Sequence, residues 1–282
     1  MLIFHNIVNI SSYLLQERNA GNRIGFVPTM GALHQGHLSL IEQSKQQTQL
    51  TICSIFVNPA QFNDPKDYEK YPLTINGDVE MLLTSGCDVL FLPSAKEIYP
   101  EGTLHLPHYN LGYLETVLEG RYRPGHFQGV CQVMDRLLKI IKPDVLFMGQ
   151  KDFQQCMVVK KLIELTGLST QLKIGSTLRE ADGLAMSSRN MQLNESERKR
   201  ASAIFETLSW IKEQLQVGNV VQIKQGASHL LEERGFRVDY TELANAETLE
   251  LINEWNGTDK VVAVIAAYLN EVRLIDNSIL TS

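Results

Sequence analysis

The chain has 282 residues, 44% apolar and 21% charged, enough to bury a substantial core in one large domain or two unequal ones. Lys and Arg number 26 against 32 Asp and Glu, and the resulting net charge of −6 argues against a broad basic face for DNA, RNA or an anionic membrane. A small anionic substrate held at one local site stays open.

Strand and helix periods alternate through the first 176 residues. Arg23-Ile-Gly-Phe-Val-Pro28 predicts a short buried strand, followed by a helix over 36–47. Thr51-Ile-Cys-Ser-Ile-Phe-Val57, rich in β-branched residues and ended by Asn58-Pro59, predicts a second strand. An irregular polar loop leads to a helix over 78–85 and a third strand over 87–92. Over 128–141, Val130, Val133, Met134, Leu137, Leu138 and Ile141 share one helical face. A strand over 144–148, a helix over 153–165 and a strand over 171–174 complete the series. Apolar strands separated by helices are what a parallel sheet covered on both faces requires. Residues 1–176 are therefore expected to form a Rossmann-like, doubly wound α/β domain whose ligands lie at the carboxyl ends of its strands.

From 177 to 282 the rhythm changes. Asn194 with Glu197 resembles a capping box opening a long helix over 194–216, and a second helix is expected over 221–233. Strands are expected over 237–242, 261–266 and 272–275, giving a smaller C-terminal α+β domain. The longest apolar stretch, 261–269, is far short of the roughly 20 residues of a membrane span. At the amino terminus His5, Asn6 and Asn9 interrupt the apolar residues, so no signal peptide is expected. Cys53, Cys87, Cys131 and Cys156 form no Cys-x-x-Cys pair and read as reduced core residues of a cytoplasmic protein.

Five clusters look chemical. The first is Pro28-Thr-Met-Gly-Ala-Leu-His34-Gln-Gly36-His37, where the first strand gives way to a helix. A helix start offers unpaired N–H groups and positive dipole to a phosphate, two imidazoles add donors, and Gly36 allows close backbone approach. The plain alternative is two surface histidines at a helix start. The fragment is neither a Gly-x-Gly-x-x-Gly fingerprint nor a Walker A loop. It resembles the His-x-Gly-His signature of the nucleotidyltransferase superfamily, shared with class I aminoacyl-tRNA synthetases.

The second cluster, Phe56-Val-Asn-Pro-Ala-Gln61-Phe62, could fix a small polar substrate through Gln61 or be an ordinary turn. The third, Arg121-Tyr-Arg123-Pro-Gly-His126-Phe-Gln-Gly129, suits an anion-facing loop or a solvated connector. The fourth is Gly149-Gln150-Lys151-Asp152-Phe-Gln-Gln155. There Lys151 can neutralise phosphate, and Asp152 and Gln155 can hold hydroxyls or magnesium-bound water, although a surface salt bridge would look the same. The fifth, Leu178-Arg-Glu-Ala-Asp182-Gly-Leu-Ala-Met186-Ser187-Ser188-Arg189-Asn190, brings two hydroxyls and a guanidinium to the proposed domain junction, or is a hydrophilic loop.

In this order the five clusters resemble the pantothenate synthetase (pantoate–β-alanine ligase) family. The resemblance implies ATP-dependent condensation of (R)-pantoate with β-alanine through a pantoyl adenylate, releasing AMP and diphosphate. It implies His37, His34 and Lys151 as catalytic residues. ATP would be held by Met30, Gly31, Ala32, Leu33, His34, Gln35, Gly36 and His37, with Gly149, Gln150, Lys151, Asp152, Leu178, Met186, Ser187, Ser188 and Arg189. Gln61 and Gln155 would bind pantoate. Mg²⁺ is implied with ligands unassigned, Asp78 being one candidate for an outer contact, and a homodimer is implied whose small domain closes over ATP. The chain departs from the family pattern in reading Tyr71-Pro-Leu-Thr74 for Tyr-Pro-Arg-Thr, and Ser176-Thr-Leu-Arg179 for Pro-Thr-Val-Arg. Rival readings are an adenylyltransferase with a phosphate acceptor, which would need further cations near Gln61 and Gln155, and a non-catalytic nucleotide sensor. A tRNA synthetase would need an anticodon-binding domain or basic face, and the chain offers neither.

Overall fold

A computed structural model describes residues 1–62, 68 and 71–281; part of the expected polar loop falls outside them. Contacts divide the chain into two units, Met1–Gly149 with Gln155–Ser176, and Gln150–Gln154 with Thr177–Ser282.

In the first unit, β1 (Leu2–Phe4), β2 (Ile24–Thr29), β3 (Leu50–Ile55), β4 (Val89–Phe91), β5 (Val145–Gly149) and β6 (Gln171–Gly175) form one sheet in the order β1-β4-β3-β2-β5-β6. Every pairing in it is parallel. Alternate residues serve opposite faces. Phe26, Ile52, Phe91 and Leu146 join one apolar cluster, while Val27, Cys53, Leu90 and Phe147 join another. The first face is covered by α1 (Ile7–Asn19), α6 (His126–Ile141) and α7 (Phe153–Thr166), the second by α2 (Gln35–Gln47) and α3 (Ile75–Thr84). Short helices α4 (Ala95–Ile98) and α5 (Leu118–Tyr122) lie on the connection from β4 to α6. Each fully buried Phe or Ile here contributes roughly 1.5–3 kcal/mol, so covering both faces is what holds the sheet. The strand order reverses between β2 and β5, the switch point where such sheets open a ligand crevice beyond the strand ends.

The expected α/β order holds, with α2, α6 and α7 within two residues of their predicted bounds. The spacing did not reveal β1 and α1. In α1, Ile10 and Leu14 are buried four apart, but exposed Val8 and Leu15 blur the apolar stripe.

The second unit packs α8 (Glu195–Ala201), α9 (Ala203–Gln214) and α10 (Val221–Glu233) with an antiparallel sheet ordered β11 (Val272–Ile279), β10 (Val261–Leu269), β8 (Arg237–Asn245). Two-residue strands β7 (Gly218–Asn219) and β9 (Glu254–Trp255) pair beside it. The capping box forms as its spacing predicts, Asn194 accepting from the Glu197 N–H and Glu197 from the Asn194 N–H, both at 2.9 Å. The single helix expected over 194–216 is instead two, interrupted at Ser202, whose N–H turns to the Arg200 carbonyl.

Candidate active site

At the carboxyl end of β2 the chain makes a turn that only particular residues accept. Gly31 has φ +84° and Ala32 φ +49°, both in the left-handed region. A Cβ at Gly31 would lie 3.1 Å from Asp78 Oδ2 and 3.2 Å from Ile55 Cγ2. Asp78 is buried and holds the turn: its Oδ2 accepts from the Ala32 N–H at 3.0 Å, and its Oδ1 from the Leu33 N–H at 2.8 Å and Thr74 Oγ1 at 3.1 Å. These contacts engage both oxygens of Asp78 and make it the structural anchor of the turn. They also engage the Ala32 and Leu33 amides, which leaves the donor capacity of this motif to the helix start and its imidazoles.

That helix start is capped by its own histidines. The Gly36 N–H donates to His34 Nδ1 at 3.2 Å, and the His34 N–H donates to His37 Nδ1 at 3.3 Å. The two rings lie 4.1 Å apart, centre to centre. Because both Nδ1 atoms accept, each neutral ring carries its proton on Nε2. The pair is therefore two oriented N–H donors at a helix N-terminus, with Gln35 exposed between them.

The second cluster meets the first. Gln61 Nε2 donates to Met30 Sδ at 2.8 Å, and Gln61 Oε1 accepts from Asn58 Nδ2 at 3.2 Å, which sets the amide's orientation. Asn58 is buried and fully used: Nδ2 also reaches the Gly129 carbonyl at 3.0 Å, and Oδ1 accepts from Tyr99 Oη at 2.9 Å and the Ala60 N–H at 3.2 Å. A Cβ on Gly129 would sit 2.2 Å from the Ala60 carbonyl oxygen, so α6 seats directly on the Pro59–Gln61 turn.

The third cluster braces the second through His126, while Arg121, Tyr122, Pro124 and Gly125 stay exposed. Arg123 donates to His126 Nε2 at 3.1 Å, since guanidinium has no acceptor, so His126 carries its proton on Nδ1 and donates it to the Gln61 carbonyl at 2.8 Å. Its histidine points at protein.

In the second unit, Lys151, Ser187, Arg189, Asn190, Arg273 and Asp276 line one recess, which brings the fourth and fifth clusters together. The segment before Met186 is a small hairpin: Arg179 and Ala185 form an antiparallel bridge, and the Met186 N–H reaches the Leu178 carbonyl at 3.0 Å. Ser187 caps the turn that follows by accepting from the Arg189 N–H at 3.2 Å. Arg179 forks onto Asp276 at 2.6 and 3.1 Å and lies 4.5 Å from the centre of the Phe205 ring. Burial pushes the Asp276 carboxyl above the usual range, against the pull of Arg179 and, more weakly, of Lys151.

Met30, Gly31, Ala32, Leu33, His34, Gln35, Gly36, His37, Gln61, Gly149 and Gln155 thus belong to the first unit, with Gln155 half-buried on the first turn of α7. Gln150, Lys151, Asp152, Leu178, Met186, Ser187, Ser188 and Arg189 belong to the second. The sequence motifs did not single out Asn58, Tyr99, Asp276 or Asn277 as site residues. Asn58 lay in plain view inside a quoted motif, and its place between a strand end and a proline was the available signal. No thiol offers a nucleophile: all four cysteines are buried, and burial pushes Cys87 and Cys131 up to about 12 and raises Cys53.

A doubly wound sheet whose switch-point strand runs into a His-x-Gly-His helix start defines a nucleotide-binding α/β protein. Over residues 2–279 the chain matches the family model for pantoate-beta-alanine ligase. It is 43% identical over 279 residues to the pantothenate synthetase of Azobacteroides pseudotrichonymphae, covering 98% of this chain and 99% of that protein. To the pantothenate synthetase of Cytophaga hutchinsonii it is 40% identical over 283 residues, 99% of each. The solved pantothenate synthetase from Thermus thermophilus matches with a TM-score of 0.92 at 35% identity over 100% of both chains. The pantoate-beta-alanine ligase from Francisella tularensis, complexed with beta-gamma ATP and beta-alanine, matches with a TM-score of 0.83 at 36% identity, over 99% of this chain and 98% of that one. The chain belongs to the pantoate–β-alanine ligase family. It is a pantothenate-forming ligase, and no helix among its described residues is long and apolar enough to cross a membrane.

Proposed function

We propose that the ligase joins pantoate to β-alanine through a pantoyl adenylate. A pantoate carboxylate oxygen attacks the α-phosphorus of ATP and diphosphate leaves; the β-alanine amine then attacks the acyl carbon and AMP leaves. The observation that carries this reading is the histidine-capped helix start at the switch point, where both Nδ1 atoms accept backbone N–H groups and so hold the two imidazoles beside a helix N-terminus suited to phosphate. No covalent enzyme nucleophile is required, because substrate and ATP supply attacking and leaving groups. The protein's task is alignment and charge neutralisation.

In this reading Met30 to His37 frame the nucleotide, with His37 and His34 on the phosphates. Gly149, Gln150 and Asp152 border its sugar and phosphates, and Lys151 neutralises charge. Leu178 and Met186, Ser187, Ser188 and Arg189, of the small domain 177–282, bind ATP. Gln61 and Gln155 hold pantoate. Gln61 suits that role because its amide is fixed by Asn58 and Met30 yet keeps a second N–H for a hydroxyl or carboxylate. Neutral amides there favour a carboxylate acceptor over the phosphate acceptor of a related adenylyltransferase. The Francisella relative's nucleotide and β-alanine support the same substrates here.

Mg²⁺ fits as a companion of ATP: among the described residues no group of three His, Cys, Asp or Glu side chains converges on a metal. Phosphates and water would be its main ligands, and it would neutralise phosphate charge. A homodimer and a cytoplasmic location complete the reading, the latter in keeping with four buried cysteines that form no disulfide. Sedimentation at micromolar concentration tests the dimer. The route is tested by exchange of labelled diphosphate into ATP with β-alanine omitted: exchange that requires pantoate is expected. ATP binding without pantoate-dependent exchange would overturn the adenylate route.

A further inference from the structure

We infer that Asp276 and Asn277, neighbours on the last strand, are positioning residues that together set the two nucleotide-facing segments of the second unit. This rests on the reading of Lys151 and Met186–Arg189 as ATP contacts.

Asn277 is buried and reads the backbone of the segment that carries Lys151. Its Nδ2 donates to the Gln150 and Lys151 carbonyls, both at 2.9 Å, while its Oδ1 accepts from Gln150 Nε2 at 3.1 Å. Three directional bonds from one side chain fix where Lys151 leaves the main chain. No aliphatic residue of that size can replace them.

Asp276 is buried too, and its position calls for an apolar side chain. Val272 and Leu274, four and two residues before it on the same face of β11, belong to the unit's apolar core. The carboxylate there takes the Arg179 fork and also accepts from the Asn277 N–H at 2.8 Å. Arg179 completes the tie by donating to the Gly183 carbonyl at 3.0 Å and the Asn277 carbonyl at 3.3 Å, which pins the hairpin leading into Met186. A buried ion pair is a poor way to gain stability, since a packed apolar pair often does as well or better. Its geometric content is what an apolar pair lacks. Successive residues on a strand point to opposite faces, so β11 holds the Lys151 segment through one residue and the Ser187–Arg189 segment through the next.

The test is a double-mutant cycle on the full-length ligase, following kcat/KM for ATP with pantoate and β-alanine saturating. Lys151→Ala gives the reference loss. Asn277→Ala is expected to lower kcat/KM for ATP at least ten-fold while leaving KM for β-alanine within two-fold. In Lys151→Ala/Asn277→Ala the loss should be no greater than about two-fold beyond Lys151→Ala alone, because a side chain already removed cannot be misplaced. Asn277→Asp, similar in size but without the two N–H donors, should repeat the pattern and stands in if the alanine variant does not fold. Asp276→Asn paired with Arg189→Ala should show the same lack of multiplication. Losses that multiply, or Asn277 variants with normal ATP kinetics beside a crippled Lys151→Ala, would overturn this inference alone. Normal ATP kinetics in Lys151→Ala would overturn the reading beneath it, and the inference with it.

Discussion

The two units solve one problem differently. In the first, the loop after β2 is shaped by a buried carboxylate, Asp78, that meets two backbone N–H groups and a threonine hydroxyl but, among the described residues, no cation. In the second, the buried carboxylate Asp276 is matched to the guanidinium of Arg179. The first arrangement leaves a corner whose donors are neutral imidazoles on a helix dipole; the second gathers ammonium and guanidinium groups around one recess. Neutral, directional donors suit the placement of a reacting phosphate, and fixed cations suit the neutralisation of charge on a leaving diphosphate.

The largest effect should come from the cationic side. Lys151→Ala is expected to slow pantoate-dependent diphosphate exchange by about 10²–10³, the usual loss when one preorganised donor is removed. His37→Ala should slow it by about ten- to a hundred-fold, the equivalent of a contact worth roughly 1.5–3 kcal/mol. A rate within two-fold of the parent would reduce His37 to a helix cap and erase the contrast between the corners.

Asp78→Ala probes how the neutral corner is held. Two buried amides lose their acceptor, at about 1–3 kcal/mol each, so urea unfolding should show a loss of several kcal/mol. Asp78→Asn, which keeps one acceptor oxygen, should lose less; equal losses would mean that only the residue's volume matters there.

The smallest effect concerns the start of α8. The Asn194 N–H and the Asn270 amide hold the Glu197 carboxyl below its usual value of 4.5. A depressed carboxyl pKa stabilises the fold above the unfolded value and loses that contribution as pH falls toward the folded one. The difference in Tm between the parent and Glu197→Gln should therefore be constant near neutrality and narrow below about pH 4.5. A difference that widens on acidification would reverse the assignment.

Much of this was legible in the chain. The β-branched strand runs, the 3.6-residue stripe of α6 and the Asn194–Glu197 cap predict elements found in place, because each is decided by neighbours close in sequence. The groups with chemistry to offer were legible as well, since His34, His37, Gln61, Lys151 and Arg189 stand in dense motifs. The residues that hold those motifs in shape were not. Asn58, Asp78, Asp276 and Asn277 are single polar residues in otherwise ordinary segments, and their partners lie tens to more than a hundred positions away. His126 was misleading for the same reason: its motif resembles an anion loop, while its ring is consumed by Arg123 and the Gln61 carbonyl. The break at Ser202 carried no proline or glycine to announce it.

Pantoate labelled with ¹⁸O in its carboxylate offers the most direct test of carboxylate attack on the α-phosphorus. After one turnover with ATP and β-alanine, AMP should carry one ¹⁸O atom by mass spectrometry, because the oxygen that attacked phosphorus leaves with AMP when the amide forms. Label in inorganic phosphate and none in AMP would contradict the adenylate route.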